Sequence, residues 1–178
     1  RVFDATREGD DARHLHVFSS VPDDGRRAAI AASIRRIRHP ALPGDYSATA
    51  YNVAFSGFPF GPKKRHICKR DTCPCGSGAP ETVAHTFGIG ASGCARSRRL
   101  WELCLAAWRD VTGESKITAD CERITLLGDR SGTWADEAEM AAWAGLEEPF
   151  AVMHKVTLQV IKEERDRDVA PGARTRRT

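Results

Sequence analysis

The chain has 178 residues, of which 41% are hydrophobic and 29% are charged, a composition typical of a soluble globular protein. This length suffices for one domain with a substantial core, or for one domain and a small appendage. No apolar run approaches the roughly 18 residues of a membrane span, and no charged and apolar leader predicts secretion. Because the first residue is Arg1 rather than methionine, we expect a fragment or a processed product of a longer protein.

The formal net charge of +3 conceals an uneven distribution along the chain. Residues 1–70 contain 13 Lys and Arg against 7 Asp and Glu, whereas residues 113–150 contain 3 against 9. This division indicates a polyanion on the basic flank, and a protein neighbour or solvent on the acidic one.

The first 62 residues divide into a polar segment, 1–21, and a basic helical region, 22–62. Partial alternation from His14 to Phe18 predicts one short strand, whose two histidines are interpreted as exposed rather than metal-binding. A helix is predicted from Pro22 to about His39, with a buried stripe of Ile30, Ile34 and Ile37. From the pattern alone, the five arginines of this helix could equally well bind phosphates or form a solvent-exposed face. They are Arg26, Arg27, Arg35, Arg36 and Arg38.

A second helix is predicted from Pro43 and Gly44 to about Ser56, after which prolines and glycine exclude regular structure as far as Pro62. The rings of Phe58 and Phe60 can either stack on unpaired bases or insert into a core, and we favour the core. Residues 61–70 contain no acidic side chain, so their basic residues are the main candidates for phosphate contacts: Lys63, Lys64, Arg65, Lys69 and Arg70.

Four of the six cysteines lie between residues 68 and 94, around one histidine. The sequence Cys73-Pro74-Cys75-Gly76 predicts a tight turn, in which two thiolates converge on one ion. A short helix that starts at Pro80, Glu81 and Thr82 and ends at Gly88 or Gly90 carries His85. Cys94 stands at the entrance to the next helix, where free N–H groups favour a thiolate.

These residues predict a closed, tetrahedral zinc site with a structural role, because no position is left open for catalysis; the ligands are Cys73, Cys75, His85 and Cys94. Cys68, together with His66, is an alternative first arm of the site. The competing interpretation is a set of scattered buried thiols and a core histidine, which five such residues within about thirty positions disfavour.

A helix of about eighteen residues follows the last of these cysteines and ends at Gly113, completing a predicted zinc-knuckle region, 63–113. Its predicted buried stripe contains Leu100, Leu103, Cys104, Ala107, Trp108 and Val111, and Trp101 and Trp108 are interpreted as core. Its opposite face offers Arg96, Arg99 and Arg109. The arginines of this helix that join the candidate phosphate contacts are Arg96, Arg98 and Arg99.

The C-terminal helical region, 114–168, is predicted to contain an acidic helix over Trp134 to Ala144 and a last helix over about 149–167. The last helix is expected to bury Phe150, Met153, Val156, Val160 and Ile161. A basic tail, 169–178, is predicted to be mobile. Because Cys104 lies on an apolar helix face and Cys121 stands alone, we interpret the cysteines as reduced thiols of an intracellular protein.

The predicted fold class is therefore mainly α, a small irregular helical domain with a zinc knuckle between two helices. The sequence contains no carboxylate pair in the apolar strand context that a polymerase needs, no Gly-rich phosphate loop and no nucleophile with an ordered base. We therefore expect this segment not to be an enzyme.

The order of these motifs also carries a resemblance. C-P-C-G, then P-E-T-V-A-H, a later cysteine and R-S-R-R-L-W resemble the zinc-binding region C-terminal to the polymerase domain of non-LTR (LINE-type) retrotransposon reverse transcriptases. Flanking pieces are similar to the same family: Tyr51 to Phe55 with Lys63 to Arg65, Leu100 to Trp108, and Phe150 to Arg167. The likeness covers residues 42–168. One departure is the eight residues between His85 and Cys94, more than the family commonly has, so that either the loop bulges around Gly90 and Gly93 or Cys94 is no ligand.

The resemblance implies a region that binds zinc and nucleic acid and positions RNA template or target DNA for an upstream reverse transcriptase domain, in the nucleus or cytoplasm. Two other functions remain open on the residues alone. One is a zinc-stabilised protein-interaction module that docks a partner through residues 134–148 and the last helix. The other is a dithiol redox protein that uses Cys73 and Cys75.

Overall fold

The computed structural model describes residues 35, 37, 42–54, 58, 60, 71–90, 92–114, 116–119 and 137–169. These contain five helices, which we number α1 (Gly44–Ala54), α2 (Val83–Thr86), α3 (Ala95–Thr112), α4 (Glu137–Ala144) and α5 (Glu147–Val169). The only β structure in the described ranges is an isolated bridge between Thr72 and Pro80. The expectation of a mainly α fold is confirmed. No helix in these ranges has both the length and the apolar character needed to cross a membrane.

Three predicted helices lie close to where the sequence placed them. α1 begins directly after Pro43, and α3 ends at Gly113, whose left-handed φ of 73° brings its N–H to the carbonyl of Arg109 at 2.8 Å. α5 runs two residues further at each end than expected. The predicted tail begins at Val169, which is the last residue of α5. The rest of the tail, 170–178, lies outside the described residues, as do the predicted strand at 14–18, Cys121, and all of the helix at 22–39 except Arg35 and Ile37.

α2 is shorter than predicted and starts later. The side chain of Thr82 accepts a hydrogen bond from the backbone N–H of His85 at 3.1 Å, so Thr82 caps the helix and the first helical residue is Val83. Pro80 instead lies in the bridge with Thr72. The prediction that Pro80 opens this helix was therefore wrong.

α5 is the central helix, and it packs against α1 and against α3. One apolar cluster includes Phe87, Trp101, Leu158 and Ile161, and in it the indole N–H of Trp101 donates to the carbonyl of Phe87 at 2.9 Å. Phe58 and Phe60 belong to this cluster with their rings stacked 5.0 Å apart. The core interpretation of these two phenylalanines, which the sequence analysis favoured over base stacking, is confirmed.

A second apolar cluster forms where α3, α4 and α5 meet. The ring of Phe150 lies edge-on to both Trp108 and Trp143, with centroids 5.2 Å apart in each pair. Such edge-to-face aromatic contacts add about 1 kcal/mol each to the burial of the rings. The prediction that Trp101 and Trp108 belong to the core is confirmed.

The buried face of α3 differs from the predicted stripe. Ser97, Trp101, Leu105 and Trp108 are buried, whereas Leu103 is 52% and Val111 is 85% exposed. Two hydrogen bonds fix this rotation of the helix: that of Trp101 to Phe87, and that from the Ser97 hydroxyl to the carbonyl of Thr86 at 2.6 Å. Burial of the two indoles, together with these hydrogen bonds, therefore stabilises this orientation of α3 more than burial of Leu103 and Val111 would.

The buried face of α5 also differs in part from the prediction. Phe150 and Ile161 are buried as expected, but Val156 and Val160 are 38% and 36% exposed, and Met153 is only partly buried. Polar residues take inner positions instead, among them Gln159, whose Oε1 accepts a hydrogen bond from the hydroxyl of Thr49 on α1 at 2.6 Å. α5 is thus buried on two sides, against α1 and α3, and Val156 and Val160 face outward.

Candidate metal centre

The metal centre begins with a short hairpin that holds the first two cysteines. The N–H of Cys73 donates to the carbonyl of Ala79, and the N–H of Glu81 donates to the carbonyl of Asp71, both at 2.9 Å. Between these bonds the chain turns through Gly76 and Gly78, at φ of 85° and 75°, a region that other residues enter only with strain. The predicted tight turn at Cys73-Pro74-Cys75-Gly76 is therefore present as a closed hairpin.

The structure brings the four predicted ligands together. One ligand atom from each of Cys73, Cys75, His85 and Cys94 lies within 4.8 Å of every other. Sγ of Cys75 lies 3.5 Å from Nε2 of His85. Cys73, His85 and Cys94 are buried, whereas Cys75 is partly exposed. This arrangement is compact enough for all four side chains to hold one metal ion.

His85 is oriented for metal binding by a contact on the far side of its ring. Its Nδ1 lies 2.8 Å from the carbonyl oxygen of Ser92. Because a carbonyl only accepts, Nδ1 carries the hydrogen, and Nε2 is the nitrogen left to face the sulfurs. Metal-binding histidines characteristically donate their second ring N–H to a carbonyl or carboxylate in this way.

The electrostatics of the three thiols require a cation if all of them are to ionise. Burial raises the pKa of the Cys73 thiol to about 12. Burial also acts to raise the pKa of Cys75, but hydrogen bonding, above all from the Ser77 hydroxyl, outweighs it and lowers that pKa to about 6. The thiol of Cys75 therefore loses its proton more readily than that of Cys73, and three thiolates so close would repel one another. A bound metal ion removes this obstacle, and its binding releases protons.

The described residues between His85 and Cys94, 86–90 and 92–93, form a compact bulge. The N–H of Cys94 donates to the carbonyl of His85 at 2.7 Å, which closes the loop directly beside the ligands. Within the loop Gly88 and Gly93 touch backbone to backbone, so that a Cβ on Gly93 would lie 2.4 Å from the carbonyl carbon of Gly88. Of the two alternatives for this long spacing, the structure therefore shows the bulge, with Cys94 kept in the cluster.

The predicted phosphate-contacting arginines of α3 have different surroundings. Arg96 forms an ion pair with Asp168 and approaches Glu164 at 3.9 Å, and Arg98 donates to the carbonyl of Gly90 at 3.0 Å. Arg99 is 71% exposed and lies 3.5 Å from Glu102. Arg96 and Arg98 thus have structural contacts, and Arg99 is the most accessible of the three. The other predicted residues lie outside the described ranges: Lys63, Lys64, Arg65, Lys69, Arg70, and the alternative ligands His66 and Cys68.

A buried ion pair beside the metal centre was missed by the sequence analysis. Nε of Arg165 on α5 donates to Oε1 of Glu81 at 2.7 Å, and the two side chains are 7% and 2% exposed. The guanidinium also lies 4.7 Å from the ring centre of Phe60, and it bonds to Asp166 at 2.8 Å. Nothing in the pattern distinguishes Arg165 from its charged neighbours, because its partner lies 84 residues away.

A cleft of about 490 Å³ opens between α3 and α5, next to the cysteine ligands. Its apolar lining includes Leu100, Val160 and Ile161, and Arg96, Glu164 and Asp168 also border it. No family model, curated protein or solved structure matches the chain. The function of the centre is therefore inferred from its own residues and geometry.

Proposed function

We propose that this chain is a zinc-stabilised, nucleic-acid-binding module, corresponding to the C-terminal zinc-binding region of a non-LTR retrotransposon reverse transcriptase. The observation that carries the proposal is the convergence of Cys73, Cys75, His85 and Cys94 within 4.8 Å. In this proposal the module works inside the cell, in the nucleus or cytoplasm, and positions RNA template or target DNA for a polymerase domain upstream. It has no catalytic role of its own.

Zinc is the ion that this donor set fits best. Three thiolates and one imidazole are the soft ligands of structural zinc sites, which are closed and tetrahedral. The contact of His85 with Ser92 and the closure of the loop at Cys94 hold two of the ligands in place without the ion. The ion would join the hairpin, α2 and the start of α3, which gives it a structural role.

Nucleic-acid binding rests on the basic residues that precede the hairpin. Lys69 and Arg70 come directly before Asp71, where the hairpin begins, so the chain passes from the basic segment straight into the metal centre. Phosphate contacts by Lys and Arg supply most of the sequence-independent affinity for nucleic acids. Arg99 is exposed on the adjoining helix and can add to this surface, whereas Arg96 and Arg98 would first have to leave their structural contacts.

The experiment is a charge reversal at Lys63, Lys64 and Arg65, each changed to Glu, in the zinc-loaded chain. Binding of single-stranded RNA and of duplex DNA is measured by fluorescence anisotropy over a series of salt concentrations. If the three side chains contact phosphates of RNA, the slope of log K against log salt falls by about 2, and the affinity falls more than tenfold.

The matched control applies the same charge change at three basic residues elsewhere, Arg109, Lys116 and Arg167. The control should retain most of the affinity and slope of the unaltered protein. Equal losses in both variants, or binding that does not respond to salt, would contradict the proposal.

A further inference from the structure

α3 and α5 pack side by side in opposite directions. At one end of the pair Arg96 forms an ion pair with Asp168, and at the other end the ring of Trp108 contacts that of Phe150. In the middle, the ring centroids of Trp101 and His154 are 5.5 Å apart. Because the helices are antiparallel, the residue numbers of two side chains at the same height along the pair add up to about 260.

The outer side of this helix pair carries two apolar stripes level with one another. On α3 the stripe contains Leu100, Leu103, Ala107 and Val111, at the spacing of one helix face; on α5 it contains Val152, Val156 and Val160. The register places Leu100 level with Val160 and Leu103 level with Val156, and Leu100 and Val160 line the same cleft. We call these seven residues the outer face.

Only Leu100 of the outer face packs against the first apolar cluster. Leu103, Ala107, Val111, Val156 and Val160 are exposed, and Leu100 and Val152 are partly buried. α3 therefore has two apolar sides, one packed around Trp101 and Trp108 and the other open. A contiguous apolar patch on two adjacent helices is the feature that marks a protein interface, whereas single exposed apolar residues do not.

We propose that the outer face binds a second copy of this chain, so that two α3/α5 pairs form a four-helix bundle. Four-helix bundles are built in this way, from antiparallel helices that bury apolar stripes between them. With the two-fold axis parallel to the helices, α3 of each copy lies on α5 of the other. The proposal does not rest on the metal or on nucleic-acid binding, and of the proposed phosphate contacts it uses only Arg99.

The charges at the edges of the outer face favour a second copy over an unrelated partner. The edge on α3 carries the exposed Arg99, and the edge on α5 carries the exposed Glu163. The two residues lie at almost the same level, since 99 and 163 sum to about 260. When α3 of one copy covers α5 of the other, Arg99 approaches the Glu163 of the second copy, and the same pair forms twice. An interface between identical copies requires such self-complementarity.

The first test measures the mass of the zinc-loaded, nucleic-acid-free chain by light scattering and its self-association by analytical ultracentrifugation. The unaltered protein should reach twice the 19.5 kDa mass of one chain. Leu103→Glu should shift the dissociation constant at least 100-fold towards monomer, because it places two charges in the apolar centre of the interface. Met140→Glu is the matched control, since Met140 is 50% exposed but lies on α4, outside the outer face. Circular dichroism establishes that both variants are folded.

The second test exchanges the edge charges. Arg99→Glu and Glu163→Arg should each weaken association several-fold, and the double variant should recover most of the loss. The proposal is overturned if the unaltered protein is monomeric at about 200 μM, or if Met140→Glu dissociates it as strongly as Leu103→Glu. It is also overturned if the double variant associates no better than the two single ones.

Discussion

Arg165 on the last helix donates from Nε to the carboxylate of Glu81 at 2.7 Å, although the two residues are 84 positions apart. Both side chains are almost fully buried. Glu81 belongs to the hairpin that carries Cys73 and Cys75, so this ion pair connects α5 to the metal centre. Burying two charges gains little net free energy, but losing one partner leaves the other charge buried without compensation.

We therefore expect Arg165→Met to lower the free energy of unfolding by about 3–5 kcal/mol. Removing both charges, in Glu81→Leu with Arg165→Met, should cost clearly less than the single change. Chemical denaturation of the zinc-loaded protein measures both. Arg167→Met is the control, because Arg167 forms an exposed pair with Glu164 and should cost less than about 1 kcal/mol. A double variant as unstable as Arg165→Met would contradict this account of the pair.

The metal centre predicts one zinc ion per chain. Cys94→Ser should abolish stoichiometric binding, whereas Cys104→Ser should retain it, because Cys104 is a free cysteine outside the cluster. Elemental analysis of freshly purified protein measures the content. We compare the protein in free zinc at 1,000 times the dissociation constant with the protein after removal of zinc by a chelator. The free energy of unfolding should be about 4 kcal/mol lower without zinc. A protein purified without metal and with a Cys73–Cys75 disulfide would favour the dithiol redox function instead.

The close packing of the loop between His85 and Cys94 predicts that only glycine fits at position 93. A methyl group there would meet the backbone of Gly88 at 2.4 Å, so Gly93→Ala has to displace the loop that positions Cys94. We expect a loss of about 1–3 kcal/mol in stability, together with weaker zinc binding in a competition titration. Gly44→Ala is the matched control, because a methyl group at Gly44 would have no atom within 4 Å and should leave both quantities unchanged.

Lys155 on α5 predicts a pH dependence of stability. The side chain is 1% exposed, and among the described residues its Nζ has no hydrogen-bond partner. Burial lowers the pKa of Lys155 to about 8, below the value of about 10.4 in an unfolded chain. Between these values the unfolded state binds more protons, so stability rises as the pH increases from about 8 to about 10.

Lys155→Met should remove this contribution. We expect the variant to be more stable at pH 7 by about 1–3 kcal/mol, because a buried unpaired ammonium is replaced by an apolar chain of similar length. The difference from the unaltered protein should shrink as the pH approaches 10. Lys162→Met is the control, since Lys162 forms an accessible pair with Asp166. A constant difference across this pH range would show that Lys155 is not the responsible group.

The convergence of the four candidate metal ligands could be predicted because their signal is local. Glycine, proline and closely spaced cysteines specify a turn, and all four ligands occur within one short stretch. The start of α1 after Pro43 and the end of α3 at Gly113 follow from similar local signals. The start of α2 was wrong because two local signals compete there, and the capping hydrogen bond of Thr82 prevails over the preference of Pro80 for a first turn.

The buried faces of α3 and α5 could not be predicted from the spacing of apolar residues alone. Leu103 and Val111 repeat at helical spacing as regularly as Trp101 and Trp108 do. The choice between the two faces is made by the partners of Trp101 and Ser97, the carbonyls of Phe87 and Thr86 on the preceding segment. The ion pair of Arg165 could not be predicted for the same reason, because its partner Glu81 comes close only once the chain has folded.

The metal ligands occupy only 22 consecutive positions, from Cys73 to Cys94, and this has a consequence for the order of folding. Short loops cost little entropy to close, whereas the contact between Glu81 and Arg165 closes a much longer one. In the proposed zinc-bound protein, the ion would therefore bind as soon as Cys94 has left the ribosome, before α5 has been translated. The metal site would then form first, and the last helix would dock on a hairpin that is already folded.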